Sequence, residues 1–103
     1  MGKDIQNIVD AIVKSDRPRS VIIFGSRGRG DALEDSDVDM AILYDHLDRN
    51  PFEVARSLRM NLLDVTTLSI DLLVYEFSDF ERRARHPSSI EHMIAAEGSR
   101  AYG

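Results

Sequence analysis

The chain has no cysteine, so disulfides, thiolate zinc sites and cysteine nucleophiles are excluded. That fits a reducing, cytoplasmic setting. No apolar run exceeds four or five residues, far short of the ~20 that a membrane-spanning helix needs. Lys3 and Asp4 precede an amphipathic stretch instead of the long apolar segment of a signal peptide. A basic excess is also missing. Lys and Arg total 13 against 18 Asp and Glu, a net charge of −5. Nucleic-acid coating leans on phosphate neutralisation by Lys and Arg, so the balance argues against it. The densest basic cluster, Arg82, Arg83, Arg85 and His86, reads as a solvated helix face. The three histidines, His46, His86 and His92, include no i, i+4 pair of the kind that holds metal on a helix. Ser26 has no obvious His–Asp relay, which disfavours a serine hydrolase. Repeats, low-complexity stretches and linkers are absent too.

At 103 residues, residues 1–103 form one domain with a modest core. Ile5, Ile8, Val9, Ile12 and Val13 recur at helical spacing and predict a helix over 4–15, ended by Pro18. Ser20 to Phe24 reads as a short buried strand. Val38 to Tyr44 reads as a second strand, apolar on both faces beyond Asp39 and therefore covered on both sides. Asn50, Pro51 and Glu53 suit the N-cap, first-turn and capping-box positions of a helix that would bury Phe52, Ala55, Leu58 and Leu62. Ser69 to Phe77 predicts a third strand. Ser78 with Glu81 and Ser88 with Glu91 predict helices over 78–86 and 88–97, the last ended by Gly98. The expected class is α/β (α+β), a small mixed β-sheet with helices packed on it.

Between the first two strands lies Gly25-Ser26-Arg27-Gly28-Arg29-Gly30, opening a loop to Ser36 that is expected to begin with a turn of helix. Gly28 and Gly30 allow close backbone approach and positive φ. A helix starting here would aim N–H groups at an anion, Ser26 adds a hydroxyl, and Arg27 and Arg29 add positive charge. Alone, such a turn serves equally well as a structural connection. It is not a P-loop, because no Gly-Lys-Ser/Thr closes it. The glycine order also departs from the dinucleotide-binding G-x-G-x-x-G.

Ten residues separate Ser26 from Asp37, and Asp37-Val38-Asp39 follows. Residues two apart on a strand project to one side. Two carboxylates placed so repel unless a cation lies between them, and hard cations such as Mg²⁺ prefer oxygen ligands. A solvated acidic loop end, with Glu34 and Asp35 nearby, reads equally well for this pair alone. Asp71 changes the balance. It sits between Ile70 and Leu72-Leu73-Val74, where a carboxylate is costly unless paired, hydrogen-bonded or metal-bound. A strand pairing that brought Asp71 beside Asp37 and Asp39 would make a three-carboxylate cradle. Asp31, Asp35, Asp45, Asp48 and Asp64 read as loop, turn or helix-end acids without a role. Tyr44, Tyr75 and Tyr102 read as packing or edge residues.

Gly25-Ser26, ten residues, Asp37-x-Asp39 and a later strand Asp71 resemble the signature of the DNA polymerase beta-like nucleotidyltransferase superfamily, and in particular its minimal nucleotidyltransferase (MNT) domains of the antitoxin type. The resemblance implies the nucleotidyltransferase fold and ATP as substrate. It implies two Mg²⁺ ions, with Asp37 and Asp39 holding both and Asp71 the one that activates the acceptor hydroxyl. Gly25 and Ser26 would face the triphosphate, with Arg27 and Arg29 as further phosphate contacts. It also implies transfer of AMP to a tyrosine of a helical HEPN-domain toxin. The small size suggests that this partner, or a second copy of the chain, completes the acceptor site. The alternatives are a non-catalytic nucleotide-binding or toxin-occluding subunit, and a transferase acting on an antibiotic or other small molecule.

Overall fold

A computed structural model describes residues 3–30 and 36–103. The acidic loop residues Asp31, Glu34 and Asp35 lie outside the described residues. The elements run α1 (Lys3–Asp16), β1 (Ser20–Phe24), α2 (Gly25–Arg29), β2 (Val38–Tyr44), α3 (Pro51–Leu62), β3 (Ile70–Glu76), α4 (Phe77–Ala84), α5 (Ile90–Glu97) and β4 (Ser99–Tyr102).

The strands form one mixed sheet in the order β3-β2-β1-β4. β1 is antiparallel to β2 and to β4, while β2 and β3 run parallel. The parallel pair needs a crossover, and α3 supplies it. Alternation along the strands builds a core on each face. On one face Val21, Ile23, Val38, Met40, Ile42 and Leu72 meet Ile8 and Ile12 of α1 and Val54, Leu58 and Leu62 of α3. On the other, Ile22, Phe24, Ala41 and Leu43 meet Phe80 of α4 and Ile94 of α5. The expected double burial of β2 follows: all five residues from Met40 to Tyr44 are buried.

Two tyrosines pin the layers. Tyr44 hydroxyl donates to Asp16 Oδ2 at the end of α1 (2.5 Å). Tyr75 hydroxyl donates to the buried Glu91 of α5 (2.7 Å). Tyr102 lies on the edge strand β4.

Several expectations shift. β4 was not anticipated; it follows Gly98 directly and pairs with β1 across a register irregularity at Val21/Ile22. Phe52 is 83% exposed, and Val54 takes its place on the buried face of α3. Asn50 caps α3 as expected, accepting from Phe52 N–H (2.8 Å). The serine caps move: α4 starts at Phe77, after a Glu76 whose side chain makes no cap. Ser89, not Ser88, caps α5 by accepting from His92 N–H. Asp71 is exposed, not sunk in an apolar strand. It is the second residue of an outermost strand, where water solvates it directly.

Candidate functional site

The turn from β1 into α2 is shaped by glycine. Gly25 has φ +68°, a left-handed conformation that costs other residues roughly 1–2 kcal/mol. A β-carbon there would also collide with Asp39 Oδ2. The glycine of the Gly-Ser pair thus makes room for the carboxylate of the second aspartate. Gly28 serves packing: a β-carbon would stand 2.6 Å from the Ile23 carbonyl oxygen. Ser26, half-buried, follows Gly25 in the first turn of α2.

Register does the rest. Phe24 pairs with Asp39 across β1–β2, and Asp39 pairs with Asp71 across β2–β3. Asp39, Ala41 and Leu43 alternate toward the α4–α5 face, and parallel pairing turns Asp71 the same way. The Asp39 and Asp71 carboxyls are near enough that one, when protonated, can donate to the other, with Asp37 close enough to act on Asp39 by its charge. Burial, the Asp71 hydrogen bond and the charges of Asp71 and Asp37, in that order, push the Asp39 carboxyl above the ordinary carboxylate range.

All the donors are hard oxygens, and the central acid is held above its ordinary pKa by burial and then by its acidic neighbours. Both features fit a divalent cation of the Mg²⁺ type. Among the described residues no three acidic or histidine side chains already close into a metal cage. Asp37 is exposed, just before β2, while Asp39 and Asp71 are register partners on adjacent strands.

Arg27 is engaged with the chain itself. Its Nε and one terminal nitrogen donate to the Ser36 carbonyl oxygen (3.1 and 2.8 Å), tying α2 to the backbone just ahead of Asp37. Nothing in the spacing of the sequence signals this clamp. Arg29 is exposed at the end of α2. The basic residues Arg82, Arg83, Arg85 and His86 are all exposed, with Arg82 paired to Asp79 at 2.9 Å.

A Gly-Ser turn beside carboxylates from two neighbouring strands of a mixed sheet is the arrangement of a nucleotidyltransferase fold. The chain belongs to the family "Polymerase beta, Nucleotidyltransferase", whose model matches residues 6–97. Among solved structures it is similar to a protein from Sulfolobus solfataricus described as a nucleotidyltransferase. The two are 27% identical, with a TM-score of 0.59 over 78% of this chain and 70% of that one. It also shares its fold with a chain from a toxin–antitoxin structure containing AMP-PNP, at 21% identity and a TM-score of 0.58, covering 95% of this chain and 73% of that one. No curated protein matches. Among the described residues no helix is long and apolar enough to cross a membrane.

Proposed function

We propose that the protein transfers AMP from ATP to an acceptor hydroxyl, and that the acceptor is a tyrosine on a helical HEPN-type toxin which this chain modifies as its antitoxin. The observation that carries the reading is the Asp39–Asp71 pair in register beside Gly25. The toxin–antitoxin structure with AMP-PNP, which shares the fold, supplies the partner class to be tested.

Asp37 and Asp39 would hold two Mg²⁺ ions, and Asp71 one of them. When bound, such ions act as Lewis acids that stabilise both the entering and the departing oxygen of a phosphoryl displacement. Ser26 and the backbone at Gly25 would orient the triphosphate, with Arg27 and Arg29 adding positive charge. Asp71, exposed at the sheet edge, would accept the acceptor's proton. The acceptor oxygen then bonds to the α-phosphorus, the bond to the bridging oxygen breaks, and pyrophosphate leaves with the electron pair. Positioning and fixed charge supply the catalysis.

Incubation with ATP labelled at the α-phosphate, with and without the toxin, tests this. Label is expected on the toxin, dependent on Mg²⁺ and lost in Asp39→Asn. Nucleotide binding without transfer would instead mark a non-catalytic, toxin-occluding subunit. Label on an added aminoglycoside but not on protein would mark a small-molecule transferase.

A further inference from the structure

The two edges of the sheet differ. β4 is four residues long, carries Arg100 and pairs with β1 across a register irregularity. Short length, charge and irregularity keep an edge strand from recruiting another chain. β3 lacks these along its middle. It runs seven residues in unbroken register with β2, holds no Lys or Pro, and reads Leu72-Leu73-Val74-Tyr75 between Asp71 and Glu76. Val38 N–H donates to the Ser69 carbonyl oxygen (2.9 Å), which turns Ser69 toward β2. Successive strand residues direct their backbone groups to opposite sides. Asp71, Leu73 and Tyr75 therefore bond to β2, and the N–H and C=O groups of Leu72 and Val74 point outward. Among the described residues no strand lies on that side.

The outer side of β3 is a slot. A cavity of about 450 Å³ is lined by every residue from Leu72 to Glu76, by Pro51, Phe52 and Ala55 of α3, and by Asp79 and Arg83 of α4. α3 and α4 pack on opposite faces of the sheet, so a cavity touching both straddles the β3 edge. Ser69, Ile70 and Asp71 line a second cavity of about 460 Å³, which leaves the edge open along its whole length. The charges of the first cavity are unevenly engaged. Glu76 accepts from Leu47 N–H, Glu91 from the Tyr75 hydroxyl and Asp79 from Arg82. Arg49 and Arg83 line the same cavity and are exposed, and among the described residues neither guanidinium makes a hydrogen bond or ion pair.

We propose that the outer edge of β3 is a strand-addition site for an extended, acidic and apolar segment of a partner protein. The outward backbone groups of Leu72 and Val74 pair with the segment's own N–H and C=O groups. Strand alternation sends every second side chain to the α3 wall, where apolar residues cover Phe52, 83% exposed in the chain alone, and the others to the α4 wall. Carboxylates on the segment meet Arg49 and Arg83. A second copy fits worse. Its β3 would bring its own α3 and α4 against the same walls, and a net charge of −5 on each chain opposes self-association. The added strand lies beside β3 on the side away from β2 and Asp39. This inference goes beyond the transferase reading and stands without it.

The test uses the full chain without ATP or metal, so its outcome is separate from that of the transfer assay. The probe is a fluorescein-labelled peptide in which valine alternates with glutamate, read by anisotropy. A counterpart has lysine for glutamate, and two more are N-methylated at the valines or at the glutamates. The glutamate peptide is expected to bind about tenfold tighter than the lysine one. Arg49→Glu with Arg83→Glu should abolish or invert that preference, while Arg49→Lys with Arg83→Lys should retain it. Only one of the two sets of peptide N–H groups can face β3, so one methylated peptide should lose binding and the other keep it. Amide exchange followed by NMR reads the edge directly. In the free chain the Leu72 and Val74 N–H groups should exchange faster than those of Leu73 and Tyr75, although the Leu72 and Val74 side chains are buried, and the peptide should slow them. Absence of peptide binding, or an equal effect of the two methylation patterns, overturns the proposal. Slow Leu72 and Val74 exchange in a free chain of dimeric mass gives the edge to a second copy and overturns it too.

Discussion

Gly25 and Asp39 occupy each other's space: a β-carbon on the glycine would overlap Asp39 Oδ2. The turn and the carboxylate are therefore one unit, although 14 positions separate them in the sequence. Gly25→Ala is expected to destabilise by at least the ~1–2 kcal/mol of the left-handed backbone, roughly 4–8 °C in Tm per kcal/mol, and to displace the Asp39 carboxylate. A double-mutant cycle separates the two effects. In an Asp39→Ala background the collision is gone and only the backbone strain of Gly25 (φ +68°) remains. If Gly25→Ala costs the same in both backgrounds, the contact has no energetic weight.

Asp39→Asn should raise stability at neutral pH without metal while lowering transfer by about 100-fold or more. The folded-state pKa of Asp39 is raised. The folded chain therefore keeps the proton in a window where the unfolded chain has lost it, and stability falls as pH rises through that window. The gain in Tm over wild type should be largest near neutrality and shrink toward acid, where both carry an uncharged group. Mg²⁺ should raise the wild-type Tm more than that of the variant. A Tm difference flat from acid to neutral pH, and indifferent to Mg²⁺, would remove the carboxylate-repulsion account.

What was legible depended on how local the cause was. The α1 face, β1, β2 and the Asn50-Pro51 start of α3 are written in neighbouring residues, and the structure places them within a residue or two of expectation. The Gly25-Ser26 and Asp37-Asp39 spacing was equally local. β4 was not legible, because Ser99 to Tyr102 has no buried residue and no apolar alternation; pairing with β1 holds it in place. Phe52 misled because α3 carries apolar residues on both sides, so periodicity fits either face. Asp71 looked buried among Ile70, Leu72 and Leu73, since one sequence does not reveal that β3 is the end strand. The Asp39–Asp71 register followed from the resemblance, not from any spacing between the two.

Arg27→Lys tests the clamp on Ser36. The guanidinium donates twice to one carbonyl, and an ammonium on a flexible stem does not reproduce that planar fork. A loss of about 1 kcal/mol is expected from the weakened hydrogen bonding. Steady-state kinetics then distinguishes two roles. A lower kcat with unchanged KM for ATP means that Arg27 acts through the placement of Asp37. A raised KM for ATP means that the guanidinium also reaches the triphosphate. If Arg27→Lys matches wild type in Tm, kcat and KM, Arg27 neither clamps the loop nor touches substrate.

The tyrosine pins predict an alkaline limit to stability. Burial first, then hydrogen bonding to a carboxylate and that carboxylate's charge, pushes the hydroxyls of Tyr44 and Tyr75 well above the ordinary tyrosine range. Below about pH 10 the hydroxyls are protonated whether the chain is folded or not, and their stabilisation is fully present. Above it the unfolded chain releases protons that the folded chain retains, so folding weakens with each further pH step. Wild type should lose Tm more steeply above that point than a variant combining Tyr44→Phe and Tyr75→Phe. At neutral pH the same variant should be less stable by roughly 1–3 kcal/mol per lost hydrogen bond to a carboxylate. Thermal unfolding followed by circular dichroism from neutral to alkaline pH reads both effects. Parallel pH profiles for the two proteins would show that Tyr44–Asp16 and Tyr75–Glu91 do not hold the helical layers to the sheet.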